Sequence, residues 1–514
     1  MSAATDRVPS STSPLAPELR ALSWGIFALI LSVAFEFMAV ATALPVAARQ
    51  LGGLGLYPWA LTGFLGAAMF ANGVAGEVCD RIGPRLPMIG GTLMFGGGLV
   101  LSGLSTSMPM LIGGRVVQGL GAGFMIVAVY VVIAQCYPES HRPRMMSLIA
   151  TAWVVPSVVG PFIAGGLTQL VSWRWAFLSI APIVPWPLIA VLPRMGSTAR
   201  TDVRRTGRVQ LAATMAVGAG LLQWAGIEAE HHQWVLAVVG VTAGIVLVTV
   251  AARQLFPAGT LRLRRGLPSV IAFRGVIAGG FFGCQAYVPL MLVEHRGATP
   301  TMAGLAVAGT ALGWSTGSWW QGRPALTMRR TGLVRLGAAV TSFGVLVTAA
   351  SAVVTDAVTL PAELAAAGLL VGGLGMGLSM SSNAVLLFDF SPVADRGANS
   401  AAIQMSDSLG GLLVIGAAGV IYTVWRHTLS ATVLFSLIFA LSFAVMLLAV
   451  VVAFRVRPHP RPLPPRPAKG QKRPRERAET SPRKGRNVPA KGQKRRPARP
   501  ACAWKRRERP PTRR

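Results

Sequence analysis

Residues 24–44 read Trp24-Gly-Ile-Phe-Ala-Leu-Ile-Leu-Ser-Val-Ala-Phe-Glu36-Phe-Met-Ala-Val-Ala-Thr-Ala-Leu44, an apolar run whose one ionisable side chain is Glu36. A helix needs about 20 mostly apolar residues to span a bilayer, so this run reads as a spanning helix. Working outward, similar runs lie near 56–75, 86–104, 109–136, 146–171 and 174–192, then near 209–227 and 233–252. Six more lie near 269–292, 299–320, 336–354, 361–388, 398–424 and 431–454. Composition agrees: 52% of the 514 residues are hydrophobic, only 13% are charged, and the mean hydropathy is +0.54. An ordinary soluble protein carries roughly twice that share of charge. A chain disordered throughout is excluded as well, because the apolar content is far too high.

The loops test the count of fourteen. Cytoplasmic loops of membrane proteins carry an excess of Lys and Arg. With residue 1 inside and the spans alternating, the inner segments before the tail hold 20 arginines, and the outer ones hold four: Arg49, Arg174, Arg296 and Arg426. A wrong number of spans in the middle would invert the second half and destroy this asymmetry. Both termini are therefore expected in the cytoplasm. The net charge of +31 is concentrated at residues 455–514, which hold 23 Lys/Arg, three acids and all six lysines. This tail is rich in Pro and repeats Pro467-Ala-Lys-Gly-Gln-Lys-Arg473 as Pro489-Ala-Lys-Gly-Gln-Lys-Arg495. It lacks the apolar residues of a core and is expected to be disordered. Beside an anionic leaflet each of its basic residues is worth about 1 kcal/mol, so lipid headgroups are its expected partner. Nucleic acid is not expected, since Trp504 is the tail's one aromatic residue for stacking.

Five stretches carry motifs. Gly76-Glu-Val-Cys-Asp80-Arg81-Ile-Gly83-Pro84-Arg85 follows the second span. Gly76 and Gly83 suit a tight turn at the membrane edge, Asp80 suits a helix cap, and Arg81 and Arg85 supply inner positive charge and partners for a conformational gate. The stretch resembles the G-x-x-x-D-R-x-G-x-R signature loop of the major facilitator superfamily, with Pro84 where that family usually has a second basic residue. Arg115-Val-Val-Gln118-Gly119-Leu-Gly121-Ala-Gly123 in the fourth span resembles the family's R-x-x-Q-G-x-G motif. Its Gly119/Gly123 spacing permits close helix packing. A dinucleotide loop is excluded there, because the setting is a long apolar helix. Gly160-Pro161-Phe-Ile-Ala-Gly165-Gly166 resembles the G-P-x-x-x-G-G antiporter motif, which the family associates with export. Trp173-Arg-Trp-Ala-Phe177 follows it and is similar to the W-R-W-x-F stretch of drug exporters. Glu36-Phe-Met-Ala-Val-Ala-Thr-Ala43-Leu44-Pro45 resembles the D-x-T-x-V-x-x-A-L-P stretch of the fourteen-helix drug:proton antiporters, with Glu36 at the Asp position and Met38 replacing Thr. The second half echoes the signature loop only faintly, at Gly317–Arg323. The resemblance covers the chain to about residue 455.

An intramembrane carboxylate is expensive and is a functional hypothesis by default. Glu36 lies about 12 Å from the outer end of its span and Arg115 about 9 Å, at 1.5 Å per residue, so the two can share a level. Desolvation raises a carboxylate's pKa and a guanidinium beside it lowers it, which is the balance a proton carrier needs. Proton coupling is therefore assigned to Glu36, tuned by Arg115, with Asp407 of the thirteenth span as a second candidate. Arg274, five residues inside its span, is expected to snorkel to the cytoplasmic face. Between the halves, Phe37, Trp153, Phe281, Gln285, Tyr287, Trp314, Asn383, Gln404 and Met405 are the candidate substrate-lining residues, since aromatic and Met-rich walls suit varied amphipathic molecules.

Other chemistries find no support. No lysine precedes Lys469, so there is no Walker A loop for ATP. Cys79, Cys136, Cys284 and Cys502 are scattered without metal or disulfide spacing. No enzyme active site, metal or cofactor is expected, protons being the coupling ion. The expectation is an all-α integral membrane protein with the major facilitator fold. Its parts are a cytoplasmic N-terminus (1–20), a six-helix bundle (21–192), a loop (193–208), two extra helices (209–252), a loop (253–268), a second six-helix bundle (269–454) and the tail (455–514). The expected function is proton-coupled efflux of hydrophobic or cationic small molecules by a plasma-membrane monomer working by alternating access. Alternatives are a dedicated exporter of one endogenous metabolite or antibiotic, a nutrient importer, and a membrane anchor or sensor acting through the tail.

Overall fold

The structure, a computed structural model, describes residues 17, 19–138, 141–195, 208–323, 328–354, 360–392 and 395–457. The tail, most of the loop 193–208 and nearly all of the N-terminal segment lie outside the described residues. The helices are α1 (Arg20–Gln50), α2 (Tyr57–Ile82), α3 (Arg85–Gly103), α4 (Met108–Cys136), α5 (Arg142–Leu170), α6 (Trp175–Leu178), α7 (Trp186–Val191) and α8 (Arg208–Glu230). They continue as α9 (Trp234–Leu255), α10 (Leu267–Glu294), α11 (Pro300–Gln321), α12 (Arg330–Ala350), α13 (Leu364–Phe390), α14 (Arg396–Trp425) and α15 (Ala431–Arg455). Ten described helices are long and apolar enough to cross a membrane. The helices α5, α8 and α11, of 29, 23 and 22 residues, pack among them.

The sixth expected span is not one helix. Residues 174–192 form α6, a run of turns, and α7. Pro182, Pro185 and Pro187 explain the break, because each lacks the amide N–H that a continuing helix requires and its ring crowds the preceding turn.

The pairing of helices repeats between the halves. In the first, α1 packs on α5, α4 on both α2 and α3, and α3 on α6. In the second, α10 packs on α14, α13 on both α11 and α12, and α12 on α15. The halves meet where α5 lies on α11 and α2 on α14. The extra helix α8 packs against both α2 and α14, and α9 packs on α8.

These seams are set by small residues, which let backbones approach where no water is available to drive association. A Cβ on Gly119 would lie 2.3 Å from the Phe64 carbonyl of α2, and one on Gly121 2.3 Å from the Phe95 amide of α3. Several hydroxyls inside the bundle are satisfied within their own helices. Thr92, Thr341 and Thr348 each donate to the carbonyl four residues back, at 2.7–3.0 Å, as a medium without water demands.

One face of the bundle, where α1 and α10 both end, is drawn closed. Arg49 pairs with Glu294 at 2.6 Å, Tyr57 Oη donates to the Ala286 carbonyl at 2.8 Å, and Thr301 Oγ1 donates to Gln169 Oε1 at 3.0 Å. Each contact joins one half to the other. The opposite face carries the turn between α2 and α3.

The tightest seam is α10 on α14, where a Cβ on Gly410 would lie 1.8 Å from the Gly275 carbonyl oxygen. Overpacking of a filled core costs about 1–3 kcal/mol. Gly410→Val is therefore expected to lower the unfolding midpoint of the purified protein clearly, as read by thermal denaturation. An unchanged midpoint would contradict the packing described.

Candidate functional site

Glu36 stands midway along α1 with no side-chain exposure, facing Arg115 of α4, itself 2% exposed. Arg115 Nη1 donates to Glu36 Oε1 and to Gln118 Oε1. Arg115 Nε donates to the Ala60 carbonyl of α2 at 3.1 Å, and Gln118 Nε2 donates onward to Ser102 Oγ of α3 at 3.1 Å. The Phe64 ring covers the guanidinium, 4.5 Å from Cζ, in cation–π geometry. One ion pair thus ties four helices of the first half together. Glu36 Oε2 has no hydrogen-bond partner among the described residues.

The second half holds a counterpart. Arg274 of α10 grips Asp407 of α14 with two bonds, Nε to Oδ1 at 3.0 Å and Nη2 to Oδ2 at 3.4 Å. This corrects the expectation that Arg274 snorkels to the membrane face. A carboxylate within reach inside the bundle is a better partner than distant headgroups, and the side chain stays only 16% exposed.

A cavity of about 140 Å³ lies between the halves. Arg115 of the first half and Asp407 of the second both reach its wall. Phe37, Leu61 and Leu65 line it from one side and Phe282, Gln285, Gly411 and Ile415 from the other. No group of three or more His, Cys, Asp or Glu side chains suited to a metal occurs among the described residues.

A family model described as Major Facilitator Superfamily matches residues 26–360 and again 272–511. The chain belongs to this superfamily. Similar curated proteins include the multidrug efflux pump SdrM of Staphylococcus aureus (strain N315), 25% identical over 57% of this chain and 67% of that protein. A probable multidrug-efflux transporter of Mycobacterium tuberculosis (strain CDC 1551 / Oshkosh) is 27% identical over 75% of this chain and 84% of its own. Other curated relatives are matched over only 46% and 55% of their length. Among solved structures, the POT family transporter PepTSo superposes with a TM-score of 0.63 at 12% identity, covering 84% of this chain and 97% of that one. At that identity the likeness concerns the fold. The protein is a multi-pass membrane transporter of the superfamily.

The signature loop is built differently from the sequence expectation. Gly83 alone makes the turn, at φ +81°, a backbone region that only glycine adopts freely. Gly76 lies inside α2, with open space where a Cβ would be. Asp80 belongs to the last turn of α2, and its side chain lies outside the described residues. The N-cap of α3 is Pro84, with no side-chain cap, so Asp80 stands too early in the chain for the expected capping position. Arg81 pairs with Glu77 one turn back, and Arg85 is exposed at the start of α3.

The antiporter motif lies at a junction of α1, α5 and α11. A Cβ on Gly160 would sit 3.3 Å from Met38 Cβ, and one on Gly165 2.7 Å from Thr301 Cα. Pro161 packs beside Gly304 of α11, whereas Gly166 faces open space. Pro156 and Pro161 are carried within α5 without breaking it.

Of the expected lining residues, Phe37 and Gln285 reach the cavity wall. Trp153 packs edge-on to Phe37 with ring centroids 6.4 Å apart, and Trp314 stacks on Phe282 at 6.3 Å. The others do not line this cavity. Phe281 is fully buried against Gly372, and Tyr287 is fully buried, donating to the Ile415 carbonyl at 3.0 Å. Asn383 is buried and donates to the Val270 carbonyl at 3.1 Å, Met405 is buried beside Gly73, and Gln404 is exposed. Sequence reasoning missed Phe282 and Gly411, and it left Gln118 without a role. Helical spacing alone does not separate Phe282 from Phe281, since Gln285 lies three residues from one and four from the other.

Removing one member of a buried pair strands the other charge, at a cost of about 3–5 kcal/mol. Arg115→Ala should therefore sharply reduce the yield of folded protein, while Glu36→Leu combined with Arg115→Met should restore it. Size-exclusion profiles of the purified variants check this. Normal folding of Arg115→Ala alone would show that the pair is dispensable to the fold.

Proposed function

We propose that this transporter is a proton-coupled exporter of small amphipathic molecules, with fourteen membrane crossings and both ends of the chain in the cytoplasm of a cell whose plasma membrane it spans. The observation that carries the reading is the pair of ion pairs at one inter-half cavity, Glu36–Arg115 and Asp407–Arg274. Glu36 is the proton carrier. A proton on Glu36 removes the anion that Arg115 faces, leaves an unbalanced positive charge beside the cavity, and weakens the tie holding α1 to α4. Loss of the proton restores the pair. In a medium of low dielectric this alternation changes the energy of the whole first half.

The seams support a reading of alternating access. The Arg49–Glu294, Tyr57–Ala286 and Gln169–Thr301 contacts join the halves at the face this reading takes as outer, so release outside requires that they break. Opening breaks those contacts, with α5 and α11 parting at Gly165 and Thr301. The Gly83 turn, with Arg81 and Arg85, forms the inner gate. Asp407 is a second coupling group. Export is favoured by the efflux function named for the relatives and by the Gly160–Gly166 motif. The tail sits against anionic headgroups, no cofactor is required, and the chain acts as a monomer.

The test is reconstitution in liposomes enclosing a pH dye, with a panel of amphipathic molecules, both cationic and uncharged, applied to drive proton movement. Substrate-dependent proton flux is expected, and Glu36→Gln, whose amide oxygen can still accept from Arg115 as the protonated carboxyl would, should reduce it to the level of empty liposomes while the protein remains folded. Asp407→Asn should slow it. Full flux in Glu36→Gln would remove Glu36 from the coupling path. Deleting residues 458–514 should leave flux intact, and its loss would favour a role acting through the tail.

A further inference from the structure

Gln285 projects from α10 with 7% exposure, and its Oε1 is buried without a hydrogen-bond partner among the described residues. Such a group costs stability unless a ligand or water satisfies it. The Gln285 side chain contributes to the wall of the inter-half cavity, with Oε1 just behind the accessible surface. Gly411 of α14 lines the same cavity, and a Cβ added there would meet nothing within 4 Å. Elsewhere α14 uses glycine to admit a neighbouring helix, as at Gly410 against Gly275. At Gly411 no neighbour occupies the space, so the missing side chain enlarges the cavity instead.

The remaining wall fixes the character of what fits. Phe37, Leu61, Leu65, Phe282 and Ile415 are apolar, and Ser408 adds one hydroxyl. The two charged groups that reach the wall are each already paired, Arg115 with Glu36 and Asp407 with Arg274. Among the described residues, no unpaired ionic group on the wall awaits a charged ligand. The volume, about 140 Å³, is close to the roughly 150 Å³ that accommodates one benzene.

Resting on the reading of this cavity as the substrate site, we infer that Gln285 and Gly411 determine its specificity. The group seated there is an uncharged, ring-sized apolar moiety that donates one hydrogen bond to Gln285 Oε1 and lies against the bare α14 backbone at Gly411. Recognition therefore depends on a donor and on ring size, not on cationic charge.

The test uses the full-length chain in lipid nanodiscs, with binding followed by fluorine NMR and the signal of empty nanodiscs subtracted. The probes are 4-fluorophenol, which has one O–H donor, 4-fluoroanisole, in which that donor is capped, and (4-fluorophenyl)trimethylammonium, a cation of similar size. Wild type should bind 4-fluorophenol about tenfold more tightly than 4-fluoroanisole, the worth of one hydrogen bond. Gln285→Leu should bind both at the weaker level. Gly411→Leu should bind neither, with a melting temperature no lower than wild type, because glycine within a helix is itself destabilising. Should that variant fail to fold, Gly411→Ala serves, with 4-fluorophenol binding weakened. Equal binding of phenol and anisole by wild type, undiminished binding by the folded Gly411 variant, or tighter binding of the cation would each overturn the inference. Failure of the transport reading is distinguishable when the same purified protein is also assayed in liposomes enclosing a pH dye: proton flux with none of the uncharged probes bound refutes only the specificity claim. Phenol binding that obeys the variant pattern, without proton flux for any substrate, refutes only the coupling claim.

Discussion

A charge inside a membrane-spanning bundle must be paired, and the pairing of Glu36 with Arg115 organises the first half of this transporter. The guanidinium also holds the Ala60 carbonyl of α2 and, through Gln118, reaches Ser102 of α3. Its position requires α4 to lie close to α2, which Gly119 allows. Neither charge could stand alone there, since desolvating a single ion costs several kcal/mol even after relaxation. The same constraint shapes the second half with the signs exchanged on the leading helix: α1 brings the acid, whereas α10 brings the arginine that grips Asp407.

The two halves are alike in helix pairing yet unlike at their contacts. The repeat places α5 on α11 and α14 on α2. At the first seam Gly165 and Gly304 allow close approach, while at the second α8 enters beside both helices. Thr62 Oγ1 donates to Gln223 of α8 at 2.8 Å, and Arg426 at the end of α14 pairs with Glu230 of α8 at 3.0 Å. The extra helix is thus bonded to both halves, whereas α9 packs chiefly on α8 and shows the bilayer a largely apolar face.

Much of this was legible in the sequence because membrane burial imposes long apolar runs, and a lone charge in such a run is conspicuous. Glu36 and Arg115 could be matched by counting residues from the helix ends, since rise per residue fixes depth. Arg274 could not be matched that way, because its partner lies 133 residues further on and depth alone does not say which helices touch. The broken sixth segment was written in Pro182, Pro185 and Pro187, but its average hydropathy resembles that of an unbroken span. The cavity wall was the least legible part. Every residue of α10 is compatible with burial, and only the direction of each side chain separates Phe282, on the wall, from Phe281, in the packing of the second half. Gly411 shows the same limit, since sequence cannot tell a glycine that admits a helix from one that leaves room.

The central claim is that Glu36 changes its protonation state while buried beside Arg115. The most direct measurement is infrared difference spectroscopy of the full-length protein in nanodiscs during a pH titration, following the C=O stretch of protonated carboxyl groups. The account predicts a carboxyl band that gains and loses intensity reversibly in the wild type and is missing from the Glu36→Gln spectrum. Identical titration spectra for the two proteins would mean that Glu36 keeps one protonation state throughout, and the Glu36–Arg115 pair would then be a fixed part of the scaffold.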